Sequence, residues 1–337
     1  MARLLPSDTF SVGQFAVNHP VNRWPFGKTS YKLLIKLWPQ CSLALNSLGN
    51  AFRKAGKVRE AVLCYRRAIS ADPTNSDAYS NLGLALKTQR KTQEAIKALR
   101  GAIESNPKNR SAKHMLAAWT GRTTTTAPSE YVRKLFREYS ENFEAHLVGR
   151  LKYRAPRMLR LAVEKVVKPK GLFHNAMDLG CGTGLVGVEF RSLAKRLSGI
   201  DLSPQMINHA AEKSVYDTLH VGDITRQLSR IRERFDLFLA ADVFIYCGDL
   251  CRIFHAVARR AIPGAYFVFS TEDCQEPNFV LRDTGRYAHS PTYIQDLAKE
   301  HGFAVVLHES VSLRKGDTRW ARGRVYVLKK EAQRADR

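Results

Sequence analysis

The chain has 337 residues, 44% of them hydrophobic and 25% charged, a length for about two domains and a balance that excludes a fibrous or wholly disordered protein. No apolar run approaches the ~20 residues of a membrane-spanning helix, and the opening "MARLLPSDTFSVGQFAVNHP" has neither the apolar stretch nor the cleavage site of a secretory signal. Of the net charge of +23, most sits in residues 1–170, with 31 Lys and Arg against 11 Asp and Glu, while residues 171–337 hold 23 against 20.

That basic front half fits either an acidic partner such as nucleic acid or solvated faces of basic helices, since no five like charges are consecutive. Residues 1–27 carry no readable pattern, Tyr31 and Pro39 lie 34 residues before Tyr65 and Pro73, and the segment 1–41 is expected to be partly disordered or a degenerate repeat. From residue 42 a period of 34 is explicit: Leu48 and Leu82, Gly49 and Gly83, Ala61 and Ala95, Ala68 and Ala102, Pro73 and Pro107. This is the tetratricopeptide (TPR) signature, a stack of helix pairs. Gly49 and Ala61 let the two helices of a repeat touch, Ala68 admits the next helix, and the prolines end the second helix of each repeat. The domain is expected over 42–120, closed by a capping helix in "SAKHMLAAW". It offers either a groove for a peptide or partner protein, or a brace for the next domain.

"GRTTTTAPSE" (121–130) reads as a polar linker. In the second domain, 131–332, Leu135, Tyr139, Phe143 and Leu147 recur every four residues as one helix face, and Pro156 breaks or restarts the helix. From about 173, short apolar runs alternate with helical patterns: "NAMDLG", "RLSGID", "LHVGD", "FDLFLAAD" and "AYFVFSTE" are strands one to five. This order predicts a doubly wound, mostly parallel α/β sheet. "FAVVLHESV" and "RVYVLKK" follow without a helix between them, which predicts an antiparallel tail.

The turn "MDLGCGTGLVG" (177–187) leaves strand one. It contains a G-x-G-x-x-G, but Asp178 would repel the pyrophosphate of a dinucleotide, whose charge such turns receive at a helix N-terminus. S-adenosyl-L-methionine has no phosphate and carries an ammonium that a carboxylate attracts. Gly180, Gly182 and Gly184 then allow close backbone approach, and Gly187 is a small packing position. Asp201 ends strand two, where an acid takes both ribose hydroxyls. Ser203-Pro204 caps the next helix. Asp223 is either an acceptor for the adenine amino group or a turn-forming Asp. The cysteines at 41, 64, 181, 247, 251 and 274 form no C-x-x-C pair, so reduced thiols in a cytoplasmic protein are expected. Cys247 and Cys251 lie four apart with no second Cys pair to complete a metal site, so helix packing rather than a metal site is expected.

"DLGCGTG", "GIDLSPQMI", "GDI" and "FDLFLAADVFIYCGDL", in this order, resemble a class I S-adenosylmethionine-dependent methyltransferase over about residues 130–330. With the preceding repeats, the whole is similar to bacterial methyltransferases that carry TPR arms. The resemblance implies a Rossmann-like sheet of order 3-2-1-4-5-7-6 with strand 7 antiparallel. It implies a cofactor site of Asp178, Gly180, Cys181, Gly182, Gly184, Asp201, Leu202, Met206, Asp223, Ile224 and the Ala240–Asp242 segment. Tyr139 and Phe143 would close over the cofactor, unless they are core positions of their helix. Strand four lacks the Asn/Asp-Pro-Pro-aromatic turn that accepts the hydrogens of base amines and glutamine amides, so the acceptor is expected to be a small molecule. Tyr246 and the cluster "LRDTGRYAHSPTYI", with Arg286 for an anion, Tyr287, and His289 as base, are candidates for the acceptor end; otherwise this loop packs on the sheet. Two other readings stay open, an RNA- or ribosome-associated methyltransferase using the basic front half and a cofactor-binding scaffold without turnover.

Overall fold

The structure is a computed structural model that describes residues 40–139, 144, 149, 152–167, 173–315 and 320–332. The basic segment, with Tyr31 and Pro39, lies outside the described residues, as do Phe143 and the side chain of Tyr139. The chain divides into two compact units, 1–120 and 121–337.

Among the described residues of the first unit, the helices are α1 Ser42–Lys54, α2 Val58–Ala71, α3 Ser76–Thr88, α4 Thr92–Ser105 and α5 Arg110–Trp119. The 34-residue period reappears as chemistry. Ser42 Oγ donates to the Ala68 carbonyl at 2.8 Å, and Ser76 Oγ to the Ala102 carbonyl at 2.6 Å. Asn75 Nδ2 donates to Ser42 Oγ, and Asn109 Nδ2 to Ser76 Oγ, each at 2.8 Å. Asn75 and Asn109 also cap α3 and α5, accepting from the N–H of Ala78 and Ala112. A Cβ on Gly49 would lie 2.4 Å from the buried Tyr65 ring, so only glycine lets α1 and α2 pack there. Pro73 and Pro107 follow the ends of α2 and α4 at Ala71 and Ser105.

The second unit contains α6 Ser129–Tyr139 and α7 Ala155–Val166, the latter restarted with Pro156 in its first turn. The sheet begins β1 Phe173–Leu179, β2 Ala194–Asp201, β3 Thr218–Val221, β4 Phe235–Ala240 and β5 Ala261–Asp273. Between them lie α8 Leu185–Phe190, α9 Pro204–Glu212, α10 Ile224–Arg230 and α11 Cys251–Arg260. The chain ends with β6 Phe279–Leu281, β7 Tyr287–His289, α12 Pro291–Glu300, β8 Phe303–Lys315 and β9 Trp320–Lys330. The first five strands are parallel in the order 3-2-1-4-5. β9 runs antiparallel between β5 and β8. Without the short β6–β7 pair, this is the 3-2-1-4-5-7-6 order with an antiparallel seventh strand.

Alternation along the strands feeds two cores. Phe238, Phe267 and Phe269 face α11 and α12, while Leu237, Leu239 and Val268 face α7 and α8. The β6–β7 hairpin extends the sheet where β7 pairs with Glu272 and Asp273 at the end of β5. Its strands are too short for periodicity to reveal.

Residues 121–130 are not a free tether. The Gly248 and Asp249 N–H groups donate to the Thr125 carbonyl at 3.0 and 2.7 Å, and the Ala127 N–H donates to the Tyr246 carbonyl at 3.0 Å. Thr123 Oγ1 accepts from the Leu281 N–H, and Thr124 Oγ1 shares a 2.6 Å hydrogen bond with Tyr287 Oη. A run of β-branched threonines prefers extended backbone, and here it forms a strap across the loop after β4 and the hairpin. Composition registered polarity and overlooked the pairing.

Candidate functional site

A cavity of about 300 Å³ opens at the carboxyl ends of β1, β2 and β4, where a doubly wound sheet places its ligands. The turn after β1 forms one wall. Gly180 has φ +70°, and a Cβ there would stand 2.6 Å from Val243 on the facing loop. The Gly180 and Cys181 N–H groups donate to the Ile200 carbonyl at 2.7 and 2.9 Å, locking the turn to β2.

Asp201 lies on this wall, only 8% exposed. Its Oδ2 accepts from the Gly182 N–H at 2.9 Å and its Oδ1 from the Ser203 N–H at 2.8 Å. Burial raises its pKa, and these backbone donors work against the rise. These donors aim the carboxylate, whose oxygens are acceptors suited to a diol. Leu202, Asp223 and Ile224 continue the wall. Asp223 Oδ1 caps α10 by accepting from the Arg226 N–H at 3.0 Å, so the turn role is present at the cavity edge.

Asp178 is placed differently from a simple lining residue. It is completely buried beneath the turn, and its Oδ2 accepts from Tyr216 Oη at 2.6 Å. Its Oδ1 has no partner among the described residues. Burial pushes its carboxyl up to about 7 against the lowering effect of the Tyr216 bond. Tyr216 Oη also accepts from the Gly187 N–H at 3.1 Å, and a Cβ on Gly187 would lie 2.5 Å from that ring. Gly187 is therefore small to admit Tyr216.

A second group of lining residues, Tyr153, Tyr246, Asp242, Arg286 and Arg314, combines aromatics with charge. Asp242 follows β4 with φ +55°, uncommon for a non-glycine residue, and its N–H donates to Ser270 Oγ at 2.9 Å. Arg314 reaches in from β8, donating to Asp242 Oδ2 at 2.5 Å and to Glu272. The second Asp242 oxygen, Oδ1, is buried without a partner among the described residues. Burial pushes the phenols of Tyr153 and Tyr246 up, so both stay protonated at neutral pH.

Thus Gly180, Cys181, Gly182, Asp201, Leu202, Asp223, Ile224, Tyr246 and Arg286 come together around one cavity. Gly184, Met206 and Ala240 do not line it; Gly184 caps α8, and the other two are fully buried. The Tyr287 and His289 expectations need correction. Both are fully buried in the hairpin. His289 Nε2–H donates to the Cys247 and Gly248 carbonyls at 2.9 and 3.0 Å, and burial lowers its pKa to about 4. It props the loop after β4 and does not face the cavity. Sequence reasoning missed Tyr153 and Arg314. Tyr153 just before Pro156 was a faint signal, whereas Arg314 sits in a strand pattern with none.

A family described as methyltransferase domain matches residues 177–269, and two tetratricopeptide repeat families match residues 49–90 and 76–109. A malonyl-acyl-carrier-protein O-methyltransferase of Serratia marcescens is 30% identical over 95 residues, 28% of this chain and 37% of that protein. A magnesium-protoporphyrin O-methyltransferase of Rhodobacter capsulatus is 28% identical over 151 residues, 42% of this chain and 58% of the relative. The chain thus spans about a third to three fifths of these curated relatives. Among solved structures, an N-methyltransferase from Bradyrhizobium japonicum in complex with S-adenosyl-L-homocysteine aligns with a TM-score of 0.43 and 21% identity, covering 53% of this chain and 86% of that one. Among the described residues, no helix is long and apolar enough to cross a membrane. Residues 177–269 thus match a methyltransferase domain and lie in a sheet of the order described above, preceded in the chain by residues that match tetratricopeptide repeats.

Proposed function

We propose that this chain transfers the methyl group of S-adenosyl-L-methionine to a small-molecule acceptor. The observation that carries this reading is the cavity itself, whose lining combines Asp201 and the glycine turn with Tyr246, Asp242 and Arg286. Asp201 takes the ribose hydroxyls, and the edge near Leu202, Asp223 and Ile224 takes the adenine. Asp178 does not line the cavity and holds the turn from beneath through Tyr216.

Methyl transfer is an in-line displacement whose main requirement is alignment of acceptor, methyl and leaving sulfur. The cofactor supplies the activated methyl group. At the acceptor end, the unpartnered Oδ1 of Asp242 takes a hydrogen bond from the acceptor's O–H or N–H. Arg314 is neutralised by Asp242 and Glu272, so Arg286 is the cavity cation that holds an anionic group of the acceptor. The repeats serve as a docking surface for a protein partner. The six free cysteines favour a reducing compartment such as the cytoplasm.

Calorimetry with S-adenosyl-L-methionine and NAD in parallel tests the cofactor assignment. Binding of the first alone is expected, weakened at least about tenfold (~1.4 kcal/mol) by Asp201→Ala. Tight NAD binding overturns the proposal. Transfer of a radiolabelled methyl group to a small-molecule extract fraction tests turnover, and labelling of RNA instead of small molecules refutes the acceptor class.

A further inference from the structure

Outside the cavity, a group of metal-ligating side chains gathers where the start of α11 meets the end of α12. Cys251 is the first residue of α11, Glu300 the last of α12, and His301 the residue that caps it. One ligand atom from each lies within 4.8 Å of the other two. His255 stands one turn along α11 from Cys251, and its ring centre is 6.2 Å from that of His301.

Three further features are those of a cation site. His301 Nδ1 is 2.9 Å from the Leu297 carbonyl, which places the hydrogen on Nδ1 and leaves Nε2 as the lone-pair nitrogen. The start of α11 is fixed by Asp249, whose Oδ1 accepts from the Cys251 N–H at 2.9 Å and from Tyr293 Oη at 3.2 Å. In a chain with 54 Lys and Arg against 31 acids, no described Lys or Arg pairs with Glu300. The neighbouring Lys330 Nζ is turned to the His301 backbone carbonyl at 2.6 Å.

We propose that Cys251, Glu300 and His301, with His255 as the fourth ligand, bind a borderline divalent metal ion, zinc foremost. A thiolate, imidazoles and a carboxylate are the donor set that zinc takes in tetrahedral geometry, while hard ions such as magnesium and calcium take oxygens alone. Zinc bonds of about 2.0–2.3 Å put tetrahedral ligand atoms roughly 3.3–3.8 Å apart. Closing from within 4.8 Å takes side-chain rotation of an exposed Glu300 and half-buried Cys251 and His301. A divalent cation bound among these ligands displaces the thiol proton of Cys251 on binding. The bound ion clamps α11 to α12 over the core on one sheet face, directly after the 242–247 loop that lines the cavity. It takes no part in methyl transfer, so its test stands apart from that of the proposed function.

The test uses the full-length, reduced, chelator-stripped protein titrated with cobalt(II) as the probe. One ion per chain is expected, with tetrahedral visible bands and a thiolate-to-metal charge-transfer band that zinc abolishes. Cys251→Ser should lose the charge-transfer band, His301→Gln should weaken cobalt binding at least about tenfold, and Cys247→Ser and Cys274→Ser should change neither. A second measurement needs no variant: zinc should slow alkylation of Cys251 at least about tenfold, read by peptide mass mapping. Absence of a thiolate band in the unmodified protein, its survival in Cys251→Ser, or unchanged alkylation of Cys251 overturns the proposal.

Discussion

Asp178 makes the stability of the second unit depend on pH in a predictable direction. Its carboxyl is 0% exposed, holds one hydrogen bond from Tyr216 and leaves Oδ1 unpartnered. The group stays protonated up to about pH 7, against an ordinary value of 3.8. Below pH 3.8 it is neutral folded or unfolded and contributes nothing. As pH rises from there to 7, the unfolded chain ionises while the folded one holds its proton, so stability falls. Above 7 both are ionised and the loss is constant, about 4 kcal/mol at 1.36 kcal/mol per pH unit. Asp178→Asn removes the titration. Its amide oxygen can still accept from Tyr216, and its unpaired NH₂ costs a pH-independent amount of about 1–3 kcal/mol. The assay is urea unfolding at a series of pH values, read by hydrogen-exchange mass spectrometry on peptides of β1 and β4 so that the repeat unit does not contribute. Relative to wild type, the variant should gain about 4 kcal/mol between pH 4 and pH 8. A difference that stays constant to within about 1 kcal/mol across that range would refute the assignment of a strained, buried carboxylate.

Two other perturbations follow from the same region. Arg314→Met leaves Asp242 and Glu272, whose side chains are 13% and 12% exposed, without their shared cation. It should cost about 3–5 kcal/mol at neutral pH; denaturant midpoints of the variant and the unmodified protein at pH 7 check this, and equal midpoints would refute it. Gly187→Ala drives a methyl group into the Tyr216 ring and parts that tyrosine from Asp178. A loss of about 1–3 kcal/mol is expected, with Tyr216→Phe less damaging in the same unfolding assay.

The parts legible in sequence are those whose cause is local. The repeats announced themselves because each 34-residue unit must present the same small residues to its neighbours, and the Ser42, Asn75, Ser76 and Asn109 bonds follow that period. The long strands and the antiparallel tail were visible as apolar runs. The cavity wall at Gly180, Gly182 and Asp201 was readable because a tight turn after a strand has few solutions. The three-residue strands β6 and β7 were not, since a period of two cannot be recognised in three positions. The strap at 121–130 looked like a linker because hydroxyl-rich sequence is polar whether or not its hydrogen bonds go to water.

By itself, then, the sequence determined the two kinds of domain, the glycine turn and the acid that follows it, because strand, helix and tight turn each impose a short-range pattern. Only the tertiary structure decided which distant groups meet. It set Arg314 between Asp242 and Glu272, buried His289 under the Cys247 and Gly248 carbonyls, and brought Cys251 to Glu300 and His301. These partners lie about 40–70 residues apart in sequence. Their proximity is fixed by the crossing of β8 and β9 back to β5 and by the packing of α11 beside α12, and nothing in the local sequence of either partner encodes the other.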